Sequence, residues 1–184
     1  PATTGRVGPR ACTAACSRGR VDGAVDVPGV ERALGDALLA ERFELPRNGR
    51  GGARAAVVGA GPAGLAAAHY LALGGCEVVL FDRDRQPGGL LRSGIPPYRL
   101  PRAVLDAEVE RALRPGVRFV GGRSLGRDLV LGSLVREFDT VLLAVGRHAP
   151  RRLGARGEEA PGVLDGLELL AALHRGEPAP AGRR

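Results

Sequence analysis

The sequence contains no methionine, tryptophan or lysine, and aromatic residues make up only 3% of it. All 27 basic residues are therefore arginines, and the formal net charge is +7. Such a charge suits an anionic partner, but the arginines are spread along the chain and few rings are present to stack on bases. These absences argue against nucleic-acid binding.

No apolar run approaches the ~20 residues needed to cross a bilayer, and no secretory signal pattern begins the sequence. We therefore expect a cytoplasmic protein without membrane association. The three cysteines cannot form a disulfide framework, because their number is odd and nothing indicates secretion.

A length of 184 residues leaves room for one domain with a real core and an additional arm. The 29 glycines and 14 prolines indicate packing by small residues. The sequence begins at Pro1 and ends after Ala181-Gly182-Arg183-Arg184 without a recognisable final element. We therefore expect a piece of a longer protein.

The sequence pattern of residues 1–50 predicts an arm and not a domain. Residues 1–30 show no sustained hydrophobic period, which is typical of irregular structure. Apolar residues at helical spacing then predict an amphipathic helix from Gly29 to Glu44, ended by Pro46. Asn48 to Gly52 is a predicted linker, so residues 1–50 form the predicted arm and linker.

The second part, residues 51–184, predicts an α/β, Rossmann-like domain. It opens with a strand, a glycine-rich turn, a helix and a second strand, which make one strand-helix-strand unit. Gly74-Gly75 closes that helix, as glycine does where a left-handed residue is required. The predicted elements, with one long loop, are strand 55–58, helix 63–73, strand 76–81, loop 87–101, helix 102–113, strand 117–120, helix 131–137, strand 138–144 and helix 166–174.

The glycine-rich turn predicts a dinucleotide pyrophosphate site. A phosphate approaches a backbone closely only where no Cβ intervenes, and the start of a helix offers N–H groups and a positive dipole end. Gly59 makes the tight turn, Gly61 admits the pyrophosphate, and Gly64 lets the helix lie close to the strand. Pro62 and Ala63 complete the turn. A packing role alone is the alternative reading.

An acidic residue supports this interpretation. Asp82 follows Gly59 by 23 residues and ends the second strand, where a carboxylate accepts hydrogen bonds from the adenosine ribose. Such an acid repels a 2′-phosphate, so the residues favour NAD or FAD over NADP and leave the choice between those two open. Asp84 is the alternative carboxylate for this role.

Four stretches carry a resemblance to a known family: Val-Val-Gly-Ala-Gly-Pro-Ala-Gly-Leu, Val-Val-Leu-Phe-Asp, Pro-Gly-Gly-Leu-Leu-Arg and Gly-Ile-Pro-Pro-Tyr-Arg-Leu-Pro. The chain resembles the small subunit of glutamate synthase and the FAD domain of dihydropyrimidine dehydrogenase. The resemblance implies FAD at the glycine turn. It also implies cofactor contacts at Gly89, Leu90, Arg92, Arg99 and Gly146.

The resemblance also implies that residues 1–50 are the remnant of an irregular or helical iron–sulfur arm, from which this sequence departs. Cys12 and Cys16 match cysteines that help to ligate [4Fe–4S] clusters in the family, but Gly8 stands at the first cysteine position. Because four thiolates hold such a cluster, these two would need two more from elsewhere. Thiols without iron are the alternative, and Cys76 is expected to serve packing.

The implied function is that of an oxidoreductase component. Electrons pass from NAD(P)H, bound by a second domain that is not present here, through FAD to iron–sulfur clusters or a partner subunit. No side chain needs to act as acid, base or nucleophile. The electron acceptor stays open. The alternatives are a non-catalytic dinucleotide-binding module that serves assembly, and a plain NAD-binding domain of a dehydrogenase.

Overall fold

A computed structural model describes residues 1–47 and 51–178. The first three residues of the predicted linker, 48–50, and the last six of the sequence lie outside this range. Eight α-helices and four β-strands are found in the described part: α1 Thr4–Val7, α2 Ala11–Ala14, α3 Val27–Ala40, β1 Arg54–Val58, α4 Pro62–Leu73, β2 Glu77–Phe81, α5 Leu90–Ser93, α6 Arg102–Leu113, β3 Arg118–Val120, α7 Leu131–Glu137, β4 Thr140–Leu143 and α8 Gly166–His174.

The four strands form one parallel sheet in the order β3-β2-β1-β4. Ala56 of β1 pairs with Val79 on one side and with Val141 on the other. The strand order reverses beside β1, because the chain moves outward to β3 and later returns to the opposite side with β4. Parallel strands covered on both faces read as continuous apolar runs, which is the pattern that β1 and β2 show.

Alternating residues of the strands supply two hydrophobic cores. On one face Val57 and Leu80 pack with α4 and α6. Leu105 of α6 is fully buried there. On the other face Val58 and Val79 pack against the α7 side. The alanine-rich α4 lies between the sheet and α6, and its small side chains let these layers approach closely.

The predicted α/β, Rossmann-like fold is confirmed, and three helices have the predicted bounds: 102–113, 131–137 and 166–174. Gly75 takes the left-handed conformation with a φ of 92°. The N–H of Cys76 donates to the carbonyl of Leu71 at 3.0 Å, which closes α4 as a Schellman motif.

The prediction of an irregular arm over residues 1–30 was wrong in part. This segment contains α1, α2 and a 3-10 turn at Ser17–Arg20. Tertiary contacts order it: the Arg6 guanidinium forms a bidentate ion pair with Asp36 of α3, at 2.8 and 2.9 Å. Glu108 of α6 accepts the N–H groups of Ala2 and Thr3. These partners are 30 to 106 residues distant in sequence, beyond the reach of local periodicity.

The predicted strands and the helix after the glycine turn differ from the observed ones by one or two residues at their ends. The strand predicted at 138–144 was expected to be buried, but it is the outer strand β4, whose Leu143 is 50% exposed.

Two other differences are larger. Helix α3 spans Val27–Ala40 rather than the predicted Gly29–Glu44. It ends early because Arg42 turns left-handed and the N–H of Phe43 donates to the carbonyl of Leu38. The predicted loop 87–101 contains the short helix α5. Across residues 1–47 and 51–178, none of the helices combines the length and apolar character that a membrane span requires.

Candidate functional site

A cavity of about 480 Å³ opens at the carboxyl ends of the four parallel strands. It lies where the strand order reverses beside β1, the position at which open α/β sheets bind ligands. Its volume falls within the range of small-molecule sites. The segments that follow β1, β2, β3 and β4 all contribute to its walls.

Gly59 begins the floor of this cavity in a conformation that only glycine accepts readily. Its φ is +107°, and a Cβ there would lie 2.2 Å from the carbonyl oxygen of Ala144. The N–H of Gly59 donates to the carbonyl of Phe81 at 2.8 Å. The turn therefore brings β1, β2 and the end of β4 together at one point.

Gly61 and Gly64 differ in what their missing side chains permit. A Cβ on Gly61 would meet no atom within 4 Å, so the absence of a side chain leaves the cavity open at the start of α4. A Cβ on Gly64 would lie 1.7 Å from the carbonyl oxygen of Gly59, so this glycine lets α4 lie against the turn. Gly61, Pro62 and Ala63 line the cavity, while Gly64 packs beneath it.

The N-terminus of α4 points its backbone donors at this opening. No side chain of the described residues caps the helix, which has Gly61 at its N-cap and Pro62 at its first position. The first N–H groups of a helix have no partner within the helix, and they carry its positive dipole end. The 12-residue helix thus offers an anion site beside Ala63.

Asp82 is buried at the end of β2 and lines the cavity. One carboxylate oxygen accepts the N–H of Ala60 in the turn, and the other accepts the N–H of Asp84 at 2.7 Å. The carboxylate therefore fixes the turn to the end of β2. Each oxygen can accept a second hydrogen bond, so the predicted bond from a ribose hydroxyl stays compatible with this arrangement and remains a prediction.

A second glycine pair contacts the turn from the loop after β2. The N–H of Gly88 donates to the carbonyl of Ala60 at 2.8 Å. Gly89 has a φ of +52°, and a Cβ there would lie 2.8 Å from the Cα of Gly61. Gly89 and the following Leu90 line the cavity, and their contact with a cofactor, which the resemblance implies, remains a prediction.

The segment after β4 forms the opposite wall. Ala144, Val145 and Gly146 all line the cavity, and Gly146 has a φ of +72°. His148 joins this segment to the loop after β2. Its Nε2 lies 2.9 Å from the carbonyl oxygen of Val145, and its Nδ1 lies 3.2 Å from the Arg83 guanidinium. Gly146 therefore lies in the wall of the cavity, and its contact with a cofactor remains a prediction.

Several residues that line the cavity were not predicted from the sequence. Position in the sheet is the signal that could have identified them, because each follows the carboxyl end of a parallel strand and such ends meet at one edge. The missed residues are Arg83, Arg123, Ser124, Leu125 and His148.

Two predicted contacts are not brought to this cavity. Arg92 is buried, and its guanidinium donates to the carbonyl of Pro87 at 2.8 Å and to the carboxylate of Asp106. Arg92 therefore fastens the glycine loop to α6 and lines a neighbouring cavity instead. Arg99 is exposed in the turn before α6 and lines neither of these cavities.

The cysteines lie apart from this site. Cys12 is exposed on α2 and Cys16 is partly buried at the start of the 3-10 turn. Backbone hydrogen bonds at Val25 and then Arg18 hold the pKa of the Cys16 thiol below its usual value. Among the residues that the structure describes, no group of three or more His, Cys, Asp or Glu side chains could hold a metal ion.

A cysteine at position 8 would also not fit the arm as it stands. A Cβ on Gly8 would lie 2.7 Å from the carbonyl oxygen of Thr4. The described arm supplies two thiolates, whereas a [4Fe–4S] cluster is held by four. The residues present therefore do not by themselves fit an iron–sulfur cluster. Cys76 packs against the core of the sheet, as expected.

Comparison with known proteins supports a dinucleotide-binding fold. Residues 57–108 match the family described as an NAD(P)-binding Rossmann-like domain. The chain is 38% identical over 176 residues to the putative oxidoreductase AegA of Escherichia coli, covering 94% of this chain and 27% of that protein. It is 36% identical over 176 residues to the glutamate synthase [NADPH] small chain of E. coli, covering 94% of this chain and 37% of that protein.

A third relative is the NADPH-Fe(3+) oxidoreductase subunit beta of Geobacter sulfurreducens, which is 34% identical over 191 residues. That similarity covers 100% of this chain and 28% of the relative. The chain thus spans between 27% and 37% of the length of these three proteins.

A solved structure shows the same arrangement of helices and strands. FprA of Mycobacterium tuberculosis, in complex with NADPH, superposes with a TM-score of 0.60 at 27% sequence identity. The similarity covers 65% of this chain and 28% of that one. The residues that match the NAD(P)-binding Rossmann-like family include the glycine turn.

Proposed function

We propose that this chain, which is homologous to part of glutamate synthase small chains and related oxidoreductases, holds the FAD of an NAD(P)H-dependent electron-transfer protein. The observation that carries the proposal is the double glycine contact at the sheet edge. The turn at Gly59–Gly64 and the pair Gly88-Gly89 meet over an uncapped helix N-terminus. Together they leave backbone N–H groups facing a cavity of about 480 Å³.

Two features favour FAD over the other dinucleotides. Asp82 places a carboxylate where the adenosine ribose is expected, which disfavours a 2′-phosphate at this turn. The loop that begins Pro-Gly-Gly-Leu-Leu-Arg, which resembles FAD-binding relatives, lies directly on the turn and lines the same cavity through Gly89 and Leu90.

The role of the protein residues is binding and orientation. The N–H groups at the start of α4 would hold the pyrophosphate, and Asp82 would accept hydrogen bonds from the ribose hydroxyls. Gly146 would allow the backbone after β4 to approach the adenine half. When bound, FAD supplies the chemistry by which a hydride from NAD(P)H becomes single electrons. No side chain of the chain is assigned an acid, base or nucleophilic role.

The proposal includes an electron-accepting partner and a cytoplasmic location. Two relatives are named a small chain and a subunit beta, so each of them is part of a larger assembly. We assign residues 51–184 to the first segment of the FAD domain and residues 1–50 to an arm and linker. The hydride donor would bind to a domain outside these residues.

The proposal is tested by titrating the purified 184-residue protein with FAD and recording flavin absorbance and fluorescence. We expect one FAD per chain, with NAD binding more weakly. Gly61→Ala should abolish binding, because the new methyl group projects into the open cavity. Gly52→Ala is the matched control, because a Cβ there also meets no atom within 4 Å and lies outside the cavity.

One observation favours a second candidate, a non-catalytic assembly module. The outer strand β4 exposes Leu142 and Leu143, and Val145 beside it is 47% exposed. An apolar sheet edge of this kind is a surface for another polypeptide. Protein that stays colourless with FAD while its fold is intact would favour this candidate. Tighter binding of NAD than of FAD would instead support a plain NAD-binding domain.

A further inference from the structure

A second cavity, of about 460 Å³, adjoins the dinucleotide site. It lies between the loop after β2, the helix α5 and the end of α8. Arg83, Asp84 and Gly89 line both cavities, so the two share a wall. Helix α8 is held here because it packs on α5, where Leu167 approaches Gly94.

The lining of this second cavity carries an excess of positive charge. Arg83 and Arg85 come from the loop after β2, Arg92 comes from α5, and Arg175 follows α8. Asp84 is the one carboxylate among its described lining residues. Arg83 lies 4.0 Å from Asp84, and Arg92 and Arg175 pair with Asp106 and Glu177, which lie outside the lining. Arg85 is thus the lining arginine without an ion-pair partner among the described residues.

His174, which also lines the cavity, senses this charge. Burial and then the positive charges of Arg102 and Arg92 hold the pKa of its imidazole below the usual value, while Asp84 opposes them. The pKa of Arg102 is itself lowered by burial and by Arg92. Arg92 thus contributes to lowering the pKa of both His174 and Arg102, while Asp84 and Asp106 oppose it, and an anion in the cavity would add to that opposing negative charge.

We propose that this cavity, which we name the cationic cavity, binds a phosphate-type anion beside the dinucleotide and separately from the glycine turn. Guanidinium groups bind phosphate oxygens through paired, charge-assisted hydrogen bonds. Arg85, which has no ion-pair partner among the described residues, and Arg175 approach the cavity from opposite elements. Arg175 already donates to Glu177 through Nε and Nη2, so Arg85 and the remaining nitrogen of Arg175 would contact such an anion. The anion is either a phosphate group of a nucleotide or an inorganic phosphate species.

The test uses inorganic pyrophosphate as the probe and the full chain as the protein. The pKa of His174 is measured by NMR with and without pyrophosphate, and His174→Gln assigns the signal. We expect pyrophosphate to raise the pKa of His174. The double variant R85Q/R175Q should weaken pyrophosphate binding by about tenfold or more, since it removes two charge-assisted contacts.

Matched controls separate this site from general charge and from the glycine turn. R136Q/R151Q removes two exposed arginines that line neither cavity, and it should leave the pyrophosphate affinity unchanged. R85K/R175K, which keeps the charge, should restore most of the affinity. Gly61→Ala should abolish FAD binding while the response of His174 to pyrophosphate persists.

Two results with pyrophosphate would overturn the proposal: equal affinity in R85Q/R175Q and R136Q/R151Q, or loss of the His174 response in Gly61→Ala. The second result would place the anion on the turn. A rise in the pKa of His174 on adding FAD alone would place a phosphate of the dinucleotide at this cavity and would contradict a separate site. A rise with pyrophosphate on top of saturating FAD identifies an independent phosphate site. Failure of FAD binding leaves these readouts intact, so the two proposals fail separately.

Discussion

Gly61 and Gly64 lie three residues apart and lack a side chain for different physical reasons. Gly61 faces open space, whereas Gly64 faces the backbone of Gly59. We expect Gly61→Ala to change the free energy of unfolding by about 1 kcal/mol or less, because only the N-cap preference changes. Gly64→Ala should cost about 2 kcal/mol or more, because a methyl group would overlap a carbonyl oxygen.

Urea denaturation of the two variants, followed by FAD titration, measures both effects. Loss of binding in Gly61→Ala with normal stability would separate ligand approach from folding. Equal destabilisation by the two substitutions would contradict the distinction drawn from the structure.

Asp82 provides a second prediction at this scale. Its carboxylate accepts two backbone N–H groups, from Ala60 and Asp84, and it is buried. Asp82→Ala leaves both donors without their acceptor and should cost about 2 to 5 kcal/mol of folding free energy. Asp82→Asn keeps one acceptor oxygen and should cost about half as much. Thermal denaturation of both variants checks the order, and equal stabilities would refute the structural role.

The glycine turn depends on residues that are near in sequence, whereas the role of Arg92 depends on a distant partner. The spacing of Gly59, Gly61 and Gly64 is local, so the sequence predicts the turn directly. The partner of Arg92 is Asp106 on another helix, and nothing in the loop motif indicates this pair. Arg92, which the resemblance implies to be a cofactor contact, therefore fastens the loop to α6 and does not line the cavity at the glycine turn.

Helices α1 and α3 are joined by the pair Arg6–Asp36, which makes the arm a pH-dependent element. Hydrogen bonding to Arg6 is the main reason why the pKa of the Asp36 carboxyl lies below its usual value. A lowered folded-state pKa means that the stabilisation is complete above the unfolded-state value of about 4. It is lost as the pH falls through the lowered value. The Asp36 side chain is 44% exposed, so solvent screening limits the contribution to about 1 kcal/mol or less.

The measurement compares the free energy of unfolding of the parent and Asp36→Asn at pH 7 and at about pH 3 and below. We expect the difference to shrink as Asp36 becomes protonated. Arg6→Gln completes a double-mutant cycle and should remove most of the effect of Asp36→Asn at pH 7. A difference that does not change with pH would exclude the ion pair as its cause.

Helices and strands with a strong local pattern were predictable, and their ends were less so. Helix α6 has the predicted bounds because its apolar residues and flanking prolines are local signals. Helix α3 ends early because Arg42 adopts a left-handed conformation, which sequence preferences assign to glycine or asparagine. The arm acquired helices through distant partners such as Glu108.

Across the whole molecule, the two sides of the sheet are unequal in burial. Leu80 of β2 is fully buried, whereas Leu143 of the outer strand β4 is 50% exposed. Leu80→Ala should cost about 2 to 5 kcal/mol, as other large-to-small substitutions in cores do. Leu143→Ala should cost about 1 kcal/mol or less, because half of its surface already meets water.

Chemical denaturation of Leu80→Ala and Leu143→Ala compares their free energies of unfolding. The substitution is the same in both, and the two strands belong to one sheet. Light scattering gives a second readout. If β4 is a contact surface, Leu143→Ser should reduce self-association without a large loss of stability. A cost at Leu143 equal to that at Leu80 would show that this strand is covered in solution.

The sequence alone determined the strand-turn-helix-strand unit, because apolar runs, glycine spacing and the acid after β2 are local features that depend on near neighbours. Tertiary structure decided which residues meet at the sheet edge, because parallel strands bring together segments that are far apart in sequence. Arg123 and His148 reached the cavity in this way. The same distant packing set Arg92 against Asp106, ordered the arm against α3 and α6, and placed a second, positively charged cavity beside the first.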